Sequence, residues 1–329
     1  MNRLLWLGIG ILVAIALPWW LGGGELLSRL RQFPPLLLLG LFGIICLCWC
    51  VNTLRMRLLL GEHARLMGWG KSLGCVMATE FAYFATPAGS GAPLTLMAVL
   101  ARNGIAPARG TAVYAMDQFN DLLFFICALA GISLYALFHN LSARQEGLLG
   151  ASAAMLLGLL TACLALARYH RPVIRRLGKW AKQLRVSPAK RIRWARKLLR
   201  FVESFSETLA LPTRRLVAVF ALSCVHWALR YSVLYWVIKG LGGDLQWAWA
   251  FLIQMLSLSA GQFSLLPGGA GAAELTSAAM LAPLIGKSTA AAAIVIWRIV
   301  TYYFYLVAGG PVFVMLVGRP LLRRLIRSS

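Results

Sequence analysis

Long runs of apolar residues recur along this chain and limit the folds that it can adopt. The hydrocarbon core of a bilayer is about 30 Å thick, so a helix needs roughly 20 apolar residues to cross it. Runs of about this length occupy residues 4–21, 35–54, 110–138, 147–167, 216–238 and 289–318. With 60% hydrophobic and 13% charged residues, the chain is also more apolar than soluble domains usually are. The sequence therefore predicts an all-α integral membrane protein, with residues 1–329 in a single polytopic membrane domain.

Two further apolar regions, 72–101 and 247–285, are interrupted by clusters of proline and glycine. The interruptions "TPAGSGAPLT" (86–95) and "LPGGAGAAEL" (266–275) align at an offset of 180 residues, which places Pro87 on Pro267. Within a bilayer, non-helical backbone survives only where protein or water satisfies its polar groups. We therefore expect each region to form a hairpin that dips into the membrane, giving about six full transmembrane helices and two re-entrant hairpins.

The distribution of basic residues sets the expected topology. Lysine and arginine number 33 against 10 acidic residues, and 15 of the basic residues lie between Arg168 and Arg215. Cytoplasmic loops are usually the basic ones, which puts 55–71, 102–109, 168–215 and both termini inside the cell. The two interrupted regions then enter from opposite faces. We therefore expect residues 72–138 and 247–318 to be related halves of an inverted repeat, the plan of many secondary transporters.

The most basic part of the chain, residues 168–200, also contains Trp180 and Trp194. Such a segment is expected to lie along the anionic cytoplasmic leaflet as an amphipathic helix. Orientation and anchoring alone would account for its charges, and binding to nucleic acid is not expected. The sequence leaves a homo-oligomer open.

Each interruption begins a new helix within the membrane, near Ala92 and near Gly271. A helix N-terminus carries partial positive charge and binds anions, so two such ends would form a cradle for a phosphate or carboxylate. Alternatively, the glycines only let helices pack closely. The candidate headgroup-binding residues in the two interruptions are Pro87, Gly89, Gly91, Pro267, Gly268, Gly269 and Gly271.

Ionisable residues inside the apolar segments are the other candidates, because a charge at the bilayer centre costs at least ~2.5–3.5 kcal/mol and usually has a partner or lines a cavity. We expect Arg230 and Arg298 to supply positive charge to an anionic headgroup site. Glu274 either serves this site or caps its own helix. Charge balance or proton coupling is open to Glu80, Asp117 and Asp121, which are as often structural partners.

Signatures of enzymes and cofactor sites do not stand out in the sequence. The four histidines are far apart, and the seven cysteines all lie in apolar segments, where Cys46, Cys48 and Cys50 point in different directions on a helix. Neither set has the spacing of a metal site. We expect no catalytic residues, no metal and no cofactor.

Several motifs together resemble the lysylphosphatidylglycerol synthase transmembrane-region, or flippase-like, family. The family pattern Pro-Gly-Gly-x-Gly-x-x-Glu, followed by an arginine on the next helix, is matched by Pro267, Gly268, Gly269, Gly271, Glu274 and Arg298. "VNTLRMRLLL", "TPAGSGAPLTLMAVLARNGI" and "MDQFNDLLFF" resemble further segments of the family. Ala92, Asp117 and Gln118 depart from it, since members usually have Glu, Glu and Arg at these positions.

The resemblance implies residence in the cytoplasmic membrane of a bacterium or archaeon and movement of lipids. The aminoacyl-transferase domain that some members carry is absent, so lysyl transfer is not implied. The expected function is translocation of an anionic phospholipid or a polyprenyl-linked lipid between leaflets. The alternatives are a non-transporting partner or regulator of an envelope-lipid enzyme, and a small-anion transporter.

Overall fold

The computed structural model describes residues 23–137, 211–264 and 266–318, together with isolated positions between 146 and 161. The predicted spans 4–21 and 147–167 and the basic segment 168–200 lie wholly or largely outside these residues. The described chain is helical and, numbered in order, contains α1 (Glu25–Gln32), α2 (Pro35–Leu60), α3 (Trp69–Phe84), α4 (Gly91–Arg102), α5 (Pro107–Leu137), α6 (Thr213–Gly240), α7 (Trp247–Gln262), α8 (Ala272–Ile285), α9 (Lys287–Arg298) and α10 (Phe304–Phe313).

Four of the described helical segments are long and apolar enough to cross a membrane: Pro35–Leu66, Pro107–Leu134, Thr213–Gly240 and Lys287–Gly318. They coincide with four of the predicted spans, so the prediction of an all-helical protein with several membrane-spanning segments is confirmed. The last segment is not a uniform α-helix. A π-helical stretch, Ile299–Tyr303, joins α9 to α10 and begins directly after Arg298.

The two interrupted regions each form a pair of helices that pack on one another, α3 with α4 and α7 with α8. The breaks between them, residues 85–90 and 263–271, are called tip 1 and tip 2 below. The tips meet, because Pro87 and Pro267 form an isolated antiparallel backbone bridge. The two prolines that align at the offset of 180 residues are therefore neighbours in space.

Helix α9 lies at the centre of the described structure. It packs against α1, α6 and α8, and its side chains from Thr289 to Ile294 are buried. A run of four alanines at 290–293 lets the neighbouring helices come close, as small residues commonly do in membrane proteins. Helix α9 ends at Arg298, beside tip 2, so the core of the fold holds this arginine in place.

Candidate functional site

A cavity of about 760 Å³ lies between α2, α3, α5, α6 and α7 and reaches both tips. Cavities of this size usually hold a small molecule or part of a larger one. Aromatic side chains form much of its wall, including Tyr83, Tyr114, Phe125 and Trp227. The charged side chains of the described lining are Arg55, Glu80, Asp117, Asp121 and Arg230.

Arg55 forms the centre of the first charged cluster. Its Nη2 lies 2.7 Å from Oδ1 of Asp117 and 2.6 Å from Oδ1 of Asp121. The two aspartates are four residues apart on α5 and therefore share one face of that helix. Asp121 also accepts a hydrogen bond of 2.7 Å from Nε1 of Trp227 on α6. Asp117 is the more exposed of the two, with 32% of its side-chain surface accessible against 12% for Asp121.

Glu80 lies in a second cluster beside the first. Its carboxylate accepts hydrogen bonds from Nδ2 of Asn52 at 2.7 Å and from Nε1 of Trp49 at 3.2 Å. Asn52 in turn accepts a hydrogen bond of 3.0 Å from Nη1 of Arg55. The two clusters are therefore linked through Asn52, whose amide contacts the acidic and the basic side chain together.

Arg230 is held more loosely than Arg55. Its Nη1 is 4.0 Å from Oε2 of Glu80, at the outer limit of an ion pair. Its Nε is buried and has no hydrogen-bond partner among the described residues. The guanidinium lies 5.0 to 5.6 Å from the ring centres of Tyr305, Phe84 and Trp227, where cation–π attraction stabilises its charge. Its Nη1 and Nη2 make no hydrogen bond within the described part of the chain, and Arg230 lines the cavity. These two nitrogens can therefore donate hydrogen bonds to a ligand there, whereas the enclosed Nε cannot be reached.

Glu274 and Arg298 form a buried ion pair behind tip 2. Oε1 of Glu274 is 2.5 Å from Nε of Arg298, and the two residues are 0% and 1% exposed. The other carboxylate oxygen accepts a hydrogen bond of 2.7 Å from the backbone N–H of Gly271, which is the reciprocal half of a capping box. Arg298 also donates through Nη2 to the carbonyl of Gly268 at 3.0 Å. Glu274 therefore caps its own helix, and Arg298 ties tip 2 to the core.

Several N–H groups of tip 1 and of the start of α4 already have acceptors within the same hairpin. Those of Gly89, Ser90 and Ala92 donate to backbone carbonyls, and that of Gly91 donates to Oγ1 of Thr86 at 2.8 Å. The next residue is Pro93, which has no N–H. In this conformation α4 begins without a free donor in its first three residues, so the start of this helix does not offer N–H groups to an anion.

Close approach explains one glycine of tip 2 directly. Gly269 has φ +68°, and a Cβ added there would lie 2.7 Å from Cα of Gly261 on α7. Side-chain-bearing residues resist both the backbone conformation and this contact. Gly261 and Gly269 thus let tip 2 lie directly against α7.

The residues expected from the sequence fall into two groups. Glu80, Asp117, Asp121, Arg230, Gly89, Gly268 and Gly269 line the cavity. Pro87 and Pro267 bridge the tips, Gly91 is the first residue of α4, and Gly271 is the N-cap directly before α8. Glu274 and Arg298 are enclosed behind tip 2 and are not part of the described lining.

Sequence reasoning did not assign a site role to Arg55. Its position at the end of a predicted span suggested a cytoplasmic flank, whereas it is 1% exposed in the structure and pairs with both aspartates. Asn52, three residues earlier on α2, was missed too, together with Trp49 and Trp227. The available signal was the Arg-containing "VNTLRMRLLL" segment, which contributed to the family resemblance.

Comparison with known proteins identifies a family of membrane proteins. The sequence model of the family described as "Lysylphosphatidylglycerol synthase TM region" matches residues 7–309. A UPF0104 membrane protein of Archaeoglobus fulgidus is 21% identical over 281 residues, which cover 84% of this chain and 85% of the relative. A UPF0104 membrane protein of Pyrococcus horikoshii is 29% identical over 118 residues, or 35% of each chain. Because the family match extends over most of its length, this multi-pass membrane protein belongs to the lysylphosphatidylglycerol synthase TM region family.

Proposed function

We propose that this protein is a lipid translocase, which moves an anionic phospholipid or a polyprenyl-linked lipid between the leaflets of the cytoplasmic membrane. The headgroup would occupy the cavity while the acyl or prenyl chains stay in the bilayer. The observation that carries the proposal is the cavity of about 760 Å³ with charged side chains in its wall, in a chain whose helices are long and apolar enough to span a membrane.

Arg230 is the residue that we assign to the headgroup phosphate. It is the arginine of the described lining whose ion pair is longest, at 4.0 Å from Glu80, against 2.6 Å from Arg55 to Asp121. Arginine donates paired hydrogen bonds to phosphate oxygens. A phosphate at Arg230 would use the donors that have no partner among the described residues and would lie beside the aromatic wall.

Exposed side chains in the lining favour a lipid over a soluble substrate. Gln118, Gln262 and Phe263 line the cavity and are exposed, and Phe263 is 87% exposed. An opening bordered by a large apolar side chain suits a ligand that keeps its chains in the bilayer. For the small-anion alternative, a cavity closed to the bilayer is expected instead.

The remaining assignments follow from the same proposal. The pairs α3/α4 and α7/α8 would be re-entrant hairpins of an inverted repeat, with both chain termini in the cytoplasm. Glu274 and Arg298 would position tip 2 and so act on the headgroup through its backbone. Residues 168–200 would rest on the anionic leaflet.

The test is leaflet exchange in vesicles that contain the purified protein. Fluorescent phosphatidylglycerol is placed in phosphatidylcholine vesicles, and the fraction reached by an impermeant quencher is followed with time. We expect Arg230→Gln to slow exchange at least about tenfold, because a hydrogen bond to a charged group contributes about 1.5–3 kcal/mol. Arg65→Gln, which removes an exposed arginine outside the cavity lining, should exchange lipid as the native protein does.

Two results would contradict the proposal. One is native exchange no faster than in protein-free vesicles, with protein that elutes as a single species. The other is uptake of inorganic phosphate into sealed vesicles without lipid exchange, which would favour the small-anion transporter. If Arg230→Gln and Arg65→Gln slow leaflet exchange equally, Arg230 is not part of the headgroup site.

A further inference from the structure

The described lining of the cavity has more negative than positive side chains. Its described lining contains three carboxylates, Glu80, Asp117 and Asp121, but only two guanidinium groups, Arg55 and Arg230. A charge without a partner is costly at membrane depth. One negative charge therefore needs a counterion before the cavity can hold a further anion such as a phosphate.

The unbalanced negative charge lies at the pair of aspartates on α5. One nitrogen, Nη2 of Arg55, lies 2.7 Å from Asp117 and 2.6 Å from Asp121. A single positive charge thus serves two carboxylates. Asp121 has a second donor, Trp227, whereas Arg55 is the one ion-pair partner of Asp117 among the described residues. Asp117 is also the aspartate with more accessible side-chain surface.

Among the described side chains of the lining, none beyond Arg55 and Arg230 is a cation that could supply the missing charge. Arg55 faces the pair from α2, Glu80 and Tyr83 from α3, Tyr114 from α5 itself, and His226, Arg230 and Tyr231 from α6. Helix α4 contributes Ala92 and Leu96 to the lining, neither of which ionises. Among these groups Arg230 is directed to Glu80 and the aromatic rings, which leaves the aspartate pair with Arg55 alone.

We propose that the Asp117–Asp121 pair is a proton-binding site, loaded when an anionic headgroup enters the cavity. The inference rests on the proposed lipid movement and identifies the proton as the ion that moves with the lipid. A proton on Asp117 leaves two carboxylates and two guanidinium groups, so the phosphate at Arg230 meets a neutral cavity. The proton moves with the headgroup and is released where the headgroup leaves, which couples lipid movement to the proton gradient.

A proton suits this site better than a metal ion. Arg55 occupies the space between the two carboxylates that a bound metal would need. Among the described residues, no three His, Cys, Asp or Glu side chains are grouped so that they could hold a metal ion. A carboxylate that already shares its partner needs only a proton to become neutral.

The first experiment measures leaflet exchange of fluorescent phosphatidylglycerol at a series of pH values, equal on both sides of the vesicle. Native protein should exchange faster as the pH falls, by up to about tenfold per pH unit, the limit for one linked proton. Asp117→Asn imitates the protonated carboxyl and should exchange at the native low-pH rate throughout. Asp121→Asn also leaves two carboxylates against two guanidinium groups, so it should lose the pH response as well.

The control removes a carboxylate elsewhere. Glu62 is exposed and lies outside the cavity, so Glu62→Gln should keep the native pH profile. A native pH profile retained in both aspartate variants would overturn the inference, as would a native rate that does not vary with pH. Lipid exchange is also compared in sodium and in potassium salt at equal concentration. If sodium speeds exchange by the native protein but not by Asp117→Asn, the site binds a metal ion and the inference is overturned.

A second measurement does not depend on lipid exchange. Infrared difference spectra between acidic and alkaline protein should contain the band of a protonated carboxyl, and this band should be lost in Asp117→Asn but kept in Glu62→Gln. A band unchanged in both aspartate variants would overturn the proton site. If the native protein gives the expected band but exchanges no lipid, the proposed function fails while the proton site stands.

Discussion

The pair formed by Glu274 and Arg298 shows how much one buried carboxylate can do. Its two oxygens hold different parts of the protein, Arg298 at the end of α9 and the N–H of Gly271 at the start of α8. The arginine extends the connection to the carbonyl of Gly268 and lies 4.6 Å from the ring centre of Tyr302. Removing one partner leaves the other as a charge in a space closed to water.

We predict that Glu274→Gln and Arg298→Met each destabilise the protein, by about 3–5 kcal/mol, the usual cost of breaking a buried ion pair on one side. The double variant should be less destabilised than the sum of the two single variants, because neither charge is then left unpaired. Thermal unfolding of the purified protein in detergent provides the measurement.

The matched control for this prediction is Lys239, which pairs with Asp244 at 2.5 Å on an exposed surface. Exposed pairs contribute little to stability, so Lys239→Met should melt almost as the native protein does. If the Glu274 and Arg298 effects simply add, the two residues do not act as a pair.

Individual residues also mark the limit of sequence reasoning. From the sequence, Arg230 and Arg298 were expected to serve the headgroup site, with Glu274, Asp117 and Asp121 balancing their charges, because charges in apolar segments need partners or a cavity. Glu274 does pair with Arg298, whereas the aspartates pair with Arg55. The partner of the aspartates could not be predicted from spacing. Arg55 is 66 residues from Asp121 along the chain, and their contact depends on how α2 packs against α5.

At the scale of elements, tip 2 is defined by backbone approach more than by side chains. Gly269 lies against Gly261 of α7 at a distance that leaves no room for a Cβ. Ser264 adds a hydrogen bond of 3.0 Å to the carbonyl of Ala270, and the hydroxyl of Tyr302 lies 3.4 Å from the carbonyl of Pro267. The path of the chain between α7 and α8 is therefore fixed from several sides.

We predict that Gly269→Ala destabilises the protein more than Gly242→Ala. Both glycines have a positive φ, +68° and +74°, which costs an alanine roughly 1–2 kcal/mol. The space around Gly242 is open, whereas the methyl group at position 269 would collide with Gly261 and add about 1–3 kcal/mol. Melting of the two variants in the same detergent compares them directly.

The melting temperatures and the leaflet exchange of these variants answer two different questions. Equal melting of Gly269→Ala and Gly242→Ala would mean that the tip shifts to accommodate a methyl group. A loss of leaflet exchange in Gly269→Ala at temperatures where it remains folded would connect the path of tip 2 with transport, since Gly269 also lines the cavity.

Elements were easier to predict than contacts. Proline and glycine clusters at 86–95 and 266–275 predicted breaks in two apolar regions, and the structure has helix ends at Phe84, Gly91, Gln262 and Ala272. Long apolar runs likewise predicted α2, α5 and α6. The π-helical stretch after Arg298 was not predicted, because its residues, Ile299–Tyr303, are as apolar as those of the α-helices on either side.

On the scale of the whole molecule, the two interrupted regions are held together at their tips. The bridge between Pro87 and Pro267 is accompanied by a hydrogen bond from the side-chain amide of Gln262 to the hydroxyl of Tyr83. The two tips are anchored differently. Tip 2 is tied to the core through Arg298, while in tip 1 the side chain of Thr86 bonds within its own hairpin, to the carbonyl of Ala82 and the N–H of Gly91.

We predict that linking the tips stops lipid movement, because a change of access in the proposed translocase requires them to separate. The variant carries Tyr83→Cys and Gln262→Cys, and its seven native cysteines are replaced. Tyr83 and Gln262 meet at the ends of long side chains, so the two shorter thiols are joined with a short bis-methanethiosulfonate cross-linker rather than directly. Cross-linking should slow leaflet exchange at least about tenfold, and a reductant should restore it. Each single-cysteine variant, treated in the same way, should keep its rate. Unchanged exchange after both thiols are consumed would mean that the tips stay together during transport.

The whole-molecule arrangement was partly predictable. The offset of 180 residues between the two interruptions anticipated that Pro87 and Pro267 belong to corresponding places, and the structure puts them in contact. The sequence also predicted that Arg298 would supply charge to the site at the interruptions, and in the structure Arg298 bonds to Gly268 of tip 2. It gave no sign that Arg298 would be closed off from the cavity, since this depends on the packing of α9 between α1, α6 and α8.

The pairing of charges has a consequence for how the protein is made. In the first half, Asp117 and Asp121 have Arg55, and Glu80 has Asn52 and Trp49, all of which precede them in the chain. In the second half, Glu274 precedes its partner Arg298 by only 24 residues. Each of these carboxylates thus has a hydrogen-bond or ion-pair partner close to it in the same half of the chain, with Arg55 and Arg298 supplying the positive charge. We expect the two halves to enter the membrane one after the other, and their tips to join last.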